Sequence, residues 1–237
     1  MEILEISYCF ILDDQRREVF GLQLDARSLE LINKGSQDFP FWTDLEYHQC
    51  PHCPLNKESV PHCPVATALA SVIERFENVF SYDEVDLEVI TSQRHVTQHT
   101  TAQRALGSFI GLLFATSGCP HTDYFKPMDR FHLPLASLED TMFRVASMYL
   151  MAQYFRHKEG KECEFELTGL AEIFDNMHQL NIMVTERIRS ATQTDSSINA
   201  VIQLDSILGL MPYISEEKMA EIRHLFAAYL SNSKEVS

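Results

Sequence analysis

Cysteine and histidine are concentrated in one stretch of the chain. Residues 48–63 read HQCPHCPLNKESVPHC and hold three His and three Cys in 16 positions, whereas all 237 residues hold only 6 Cys and 10 His. Thiolate and imidazole are the donors that zinc and other transition metals prefer, so this stretch is a candidate metal site. Cys50 and Cys53 have the spacing of a two-thiolate clamp, Cys63 follows ten residues later, and Cys119 lies beyond a later helical segment.

These four cysteines share a second property. Each precedes a proline (Pro51, Pro54, Pro64 or Pro120), which accounts for four of the nine prolines in the chain. Cys9 and Cys163 lack this partner and read as ordinary core or sheet residues. Proline fixes its own φ and bars the preceding residue from helical geometry. A Cys-Pro step therefore presents its sulfur from a stiff, extended backbone. Pro64 suits the first position of a helix, which puts Cys63 at the N-cap, where the helix dipole favours thiolate. Cys119 follows a helix C-terminus, where the dipole opposes thiolate, so it needs a metal or a cation nearby to ionise.

Residues 117–134 form a long connection between two helices, and long connections in folded domains tend to be functional. They supply His121, Asp123 and His132 as further candidate ligands or groups supporting the ligands. The candidate metal set is thus Cys50, Cys53, Cys63, Cys119, His121 and His132, with zinc or an iron–sulfur cluster as the cofactor. Pro54 has no amide to support the sulfur before it, which weakens a zinc-ribbon reading. Cys-Pro is a frequent last step of iron–sulfur ligand runs, but the wide spacing here fits no standard run. A different chemistry is a thiol-disulfide oxidoreductase using the Cys50-Pro-His-Cys53 dithiol. Against it, no strong buried strand precedes the motif and Pro54 interrupts the expected helix. A third possibility is a non-catalytic interaction module whose cysteines are buried thiols.

The elements that must position these residues are punctuated clearly. Leu4, Ile6, Tyr8, Phe10 and Leu12 alternate with polar residues, as do Phe20, Leu22 and Leu24, and the polar run at 13–17 joins them as a hairpin. Val85, Leu87 and Val89 predict a third strand, and residues 94–98 a fourth. Helical spacing follows Pro64 through Val65, Leu69, Val72, Ile73, Phe76 and Phe80. The next helix is expected to open on the capping-box pattern Thr100-x-x-Gln103 and to stop at Gly118. Its stripe of Gly107, Gly111 and Ala115 predicts close helix packing. A further helix starts at Ser137 and ends on Arg156, His157 and Lys158, and three more cover about 168–190, 197–211 and 215–231.

The expectation is α+β: a small, mostly antiparallel sheet of 3–4 strands with two helices, followed by an antiparallel helical bundle. One compact domain over 1–237 is expected, with the sheet part at about 1–135 and the helical part at about 136–231. Asp175-x-x-His178 and Glu221-x-x-His224 have di-iron spacing, but their helical projections face away from the apolar stripes, so they read as solvated groups.

Four motifs together resemble an uncharacterised bacterial protein family. They are C-P-x-C-P at 50–54, H-C-P-V-A at 62–66, S-G-C-P-H at 117–121 and P-M-x-x-F-H-L-P at 127–134. The resemblance covers about the middle third of the chain. It implies a shared site around those motifs and carries no activity.

Composition narrows the partners. The formal net charge of −15 repels phosphate and anionic lipid, so nucleic acid and membrane are not expected partners. Residues 89–122 nonetheless lack any Asp or Glu and carry Arg94, His95, His99, Arg104 and His121. This reads either as a buried strand-to-helix segment or as a local positive field. The N-terminal run has no preceding Lys or Arg and is broken by glutamates, so a cytoplasmic location and reduced cysteines are expected. P-loop, dinucleotide-binding and nucleophile-elbow motifs are all missing.

Overall fold

A computed structural model describes residues 2–13, 15–32, 38–193, 195–209 and 220–231. The fold is α+β. Strands β1 (Ile3–Leu12), β2 (Arg17–Asp25), β3 (Glu84–Thr91) and β4 (His95–Thr101) form one antiparallel sheet in the order β2-β1-β3-β4. Alternation sends Ile6, Tyr8, Phe10 and Leu12 into the core, together with Phe20, Leu22 and Leu24 of β2 and Val85, Leu87 and Val89 of β3. The opposite face is largely polar, and Cys9 sits there, level with Val19 and Glu88.

Two helices cover the inner face. Helix α1 (Pro64–Arg75) has Cys63 at its N-cap and Pro64 at its first position. Its stripe of Val65, Leu69, Val72 and Ile73 is buried. Helix α2 (Ala102–Thr116) is buried along most of its length, because sheet lies on one side and helices on the other. Phe109 of α2 meets Tyr8, Phe10 and Phe20 at ring-centroid separations of 4.8–5.8 Å, locking helix to sheet. The capping-box expectation at Thr100 is corrected: β4 runs on to Thr101, which is the helix N-cap, with no side-chain cap bond.

The 117–134 connection is structured. It contains a 3-10 turn at Asp123–Phe125 and the short helix α3 (Lys126–Arg130). Helix α4 (Leu138–Lys158) opens with a capping box between Ser137 and Asp140 and closes on Arg156, His157 and Lys158, matching the helix dipole at both ends. Helix α5 (Thr168–Ala191) packs on α6 (Ser196–Gly209), and α6 lies along α2. The start of the helix expected at 215–231 lies outside the described residues. Its end is a 3-10 turn at Arg223–Phe226 followed by α7 (Ala227–Leu230). Tyr229, in this last short helix, is 88% exposed. No helix among the described residues is long and apolar enough to cross a membrane.

Candidate metal centre

The segment from Thr43 to Cys63 is a loop closed at its base. Cys63 N donates to Thr43 O (2.7 Å) and Leu45 N donates to Pro61 O (2.9 Å). Thr43 Oγ1 donates to Pro40 O (2.7 Å) and accepts from His62 Nδ1 (3.0 Å). On the outer side Lys57 pairs with Asp44 and Glu46, both at 3.0 Å. Within the loop, Cys53 N donates to Cys50 O (3.0 Å), so the Cys50-Pro-His-Cys53 run is a tight turn with both thiols at its ends.

This base brings the loop over the start of α1 and over α5. One small cavity of about 20 Å³ is lined by Cys50, Cys53, Cys63 and Cys119, with His121 and Arg187. The four Cys-Pro cysteines, from a loop, a helix start and a distant connection, thus share one enclosed space. All six cysteines of the chain are free thiols. Cys9 and Cys163 lie elsewhere, and Cys163 Sγ is 3.9 Å from His157 Nδ1. As the side chains stand, no group of three or more His, Cys, Asp or Glu among the described residues is disposed to hold a metal ion.

Burial governs the thiols. Together with the neighbouring sulfurs of Cys63, Cys119 and Cys53, and against the field of Arg187, it pushes the Cys50 thiol up to about 12. Burial also pushes Cys119 up to about 11, opposed by the nearby backbone N–H groups of His121 and Thr122, which favour the thiolate. Those amides offset the unfavourable helix end that Cys119 follows.

Arg187 is the site residue that motif reading missed. It is 2% exposed, and its guanidinium donates to the carbonyls of Trp42 (2.7 Å), Asp44 (2.7 Å) and Leu45 (2.9 Å). The sequence did carry a signal. Leu180, Val184 and Ile188 form an apolar stripe, and Arg187 falls on it, where a charged residue needs a reason.

The candidate histidines separate. His121 stays at the cavity, its Nε2 donating to His52 O (3.0 Å), with the two imidazoles edge to face at 4.1 Å. His132 does not join the thiols. It lines a different cavity, where its Nε2 accepts from the Tyr8 hydroxyl, so the buried Tyr8 ring fixes it away from the cysteines. Asp123 faces outward and pairs with Lys126 (2.9 Å). The di-iron candidates are surface groups: His178 pairs with Asp205 at 2.9 Å, and His224 Nδ1 donates to Glu221 O at 2.9 Å. Arg104, from the acid-free stretch, lines the other cavity, so the buried cation beside the thiols comes from α5.

The sequence profile described as Domain of unknown function (DUF6901) matches residues 6–227. The chain belongs to that family. The match spans both cavities and every motif of the resemblance in this DUF6901 chain. No curated protein and no solved structure matches the chain.

Proposed function

We propose that this DUF6901 chain is a metal-binding protein and that Cys50, Cys53, Cys63 and Cys119 ligate one zinc ion. The observation that carries the reading is the convergence of the four Cys-Pro sulfurs on one enclosed cavity. A cavity of about 20 Å³ admits one atom-sized guest, since a single water needs roughly 10–15 Å³. That size favours a single ion over a multinuclear cluster. Four thiolates suit zinc, and closing them around it requires rotation of cysteine side chains from their present positions.

The electrostatics support ligation over nucleophilic chemistry. A reactive thiol has a depressed pKa, whereas Cys50 and Cys119 are pushed up. Buried thiols of this kind lose their protons to a metal more readily than to water. Four thiolates and Zn²⁺ sum to a charge of −2, which the fixed guanidinium of Arg187 and the amides at Cys119 offset. His121 then supports Cys119 through the backbone.

The test is elemental analysis of protein purified without chelator, with cobalt substitution and absorption spectroscopy. One zinc per chain and the visible bands of tetrahedral cobalt thiolate are expected. A folded, metal-free protein that takes up no cobalt overturns the reading, and iron with acid-labile sulfide replaces zinc by a cluster.

A further inference from the structure

The larger cavity, of about 200 Å³, lies between α2, α3, α4 and α5 and is distinct from the thiol site. Gly107, Gly111 and Ala115 line it from α2, two glycines and an alanine where larger side chains would take up space. The stripe expected to pack closely therefore also borders open space. An apolar cavity of about 150 Å³ takes up benzene, so this one admits a molecule somewhat larger than a benzene ring.

Two buried oxygens on the cavity wall have no hydrogen-bond partner. Asn181, 1% exposed, donates Nδ2 to Asp205 Oδ1 (3.1 Å), which fixes its amide and leaves Oδ1 as an unpaired acceptor. Asp129, 7% exposed, has an unpaired Oδ2. Buried polar atoms are nearly always paired, so two orphans on one cavity point to a guest that pairs them.

The charges lining the cavity narrow that guest. Arg144 lies within Coulombic reach of Asp129, and its Nη2 donates to Met128 O (2.6 Å) and Phe131 O (3.1 Å). Arg104 adds a second cation. Two guanidiniums against one carboxyl disfavour an ammonium ligand. A carboxylate ligand has no proton to give Asn181 Oδ1. A hydroxyl can donate to that oxygen and can pair with Asp129 in either direction. Burial holds the Asp129 carboxyl well above the usual carboxylate range, so it keeps a proton to donate.

We infer that this cavity binds an uncharged, ring-sized, mostly apolar molecule bearing a hydroxyl group, held by Asn181 Oδ1 and Asp129 Oδ2. This inference does not depend on the zinc reading.

The test is an NMR titration of the full chain with four probes of one shape: benzyl alcohol, toluene, benzylamine and benzoate. Benzyl alcohol is expected to bind saturably and at least about tenfold more tightly than the other three, as one or two buried hydrogen bonds predict. Shifts are expected at the Asn181 side-chain amide and along residues 107–115. Gly111→Leu, which fills the cavity, is expected to weaken binding more than about tenfold. If that variant does not fold, Ala136→Leu, a lining residue outside α2, replaces it. Absence of saturable binding, equal affinity for toluene, a charged probe binding tightest, or shifts remote from these residues each overturns the inference.

Discussion

Arg187 offers the sharpest stability test, because its guanidinium is buried and its bonds all run to main-chain carbonyls. Arg187→Met keeps the apolar stem and removes the fork. The carbonyls of Trp42 and Leu45 are then left in a buried setting, while that of Asp44 is partly open to water. Each orphaned buried acceptor costs about 1–3 kcal/mol. Removing the desolvated cation returns part of that, so the net loss is about 3 kcal/mol. For a chain of this size that lowers Tm by about 6–12 °C. Arg187→Lys keeps the charge without the fork and is expected to lose about half as much. Thermal melts with zinc present and after chelation separate two effects. The hydrogen-bond loss persists without metal, and with zinc a second loss adds to it, since the anionic site has lost its countercharge. An Arg187→Met protein melting within about 1 °C of the parent in both states would refute the reasoning.

Three further outcomes are expected. His132 is held near 3 by burial, against an ordinary value of 6.5. The unfolded chain therefore binds a proton below pH 6.5 that the folded chain refuses until about pH 3. Stability from this group is complete above 6.5 and falls with pH by up to about 1.4 kcal/mol per unit. Urea melts at pH 7 and pH 5 should give a smaller acid loss for His132→Gln, and equal losses count against it. Ser137→Ala breaks the capping box of α4 and is expected to cost about 1 kcal/mol in denaturant melts, with unchanged stability as the contrary result. Cys119→Ser should abolish stoichiometric zinc while Cys9→Ser and Cys163→Ser retain it, and identical metal content in all three would sink the assignment of ligands.

Much of the architecture was legible because the sheet buries one face. Period-two alternation at 3–12, 19–25 and 85–89 marks three strands whose inward residues are those found buried. The fourth strand was underestimated at its end, since His95–Thr101 carries little apolar alternation and half of a capping pattern. The thiols were legible from the four Cys-Pro steps. Arg187 was not, because its partners are carbonyls of a loop more than 140 residues away and such contacts have no local signature. His132 shows the converse. Composition groups it with the other histidines, but Tyr8, 124 residues earlier on β1, takes its Nε2.

The two cavities are lined from the same two stretches, the 119–122 turn and α5. Leu180, Val184 and Arg187 line the thiol cavity, and Met177 and Asn181, on an adjacent stripe of the same helix, line the larger one. Thr122 lines the larger cavity while its amide donates to Cys119 O (3.0 Å) and its hydroxyl donates to Phe114 O (2.5 Å). Zinc ligation would hold Cys119 in place, and through its carbonyl, which accepts from the Thr122 amide, one wall of the larger cavity. A firmer wall lowers the ordering cost of binding there, so benzyl alcohol should bind more tightly to zinc-loaded than to chelated protein. Linkage requires the reverse as well: saturating benzyl alcohol must raise zinc affinity by the same factor. Equal benzyl alcohol affinity with and without zinc would mean that the 119–122 turn is a passive wall, and that the two cavities act independently.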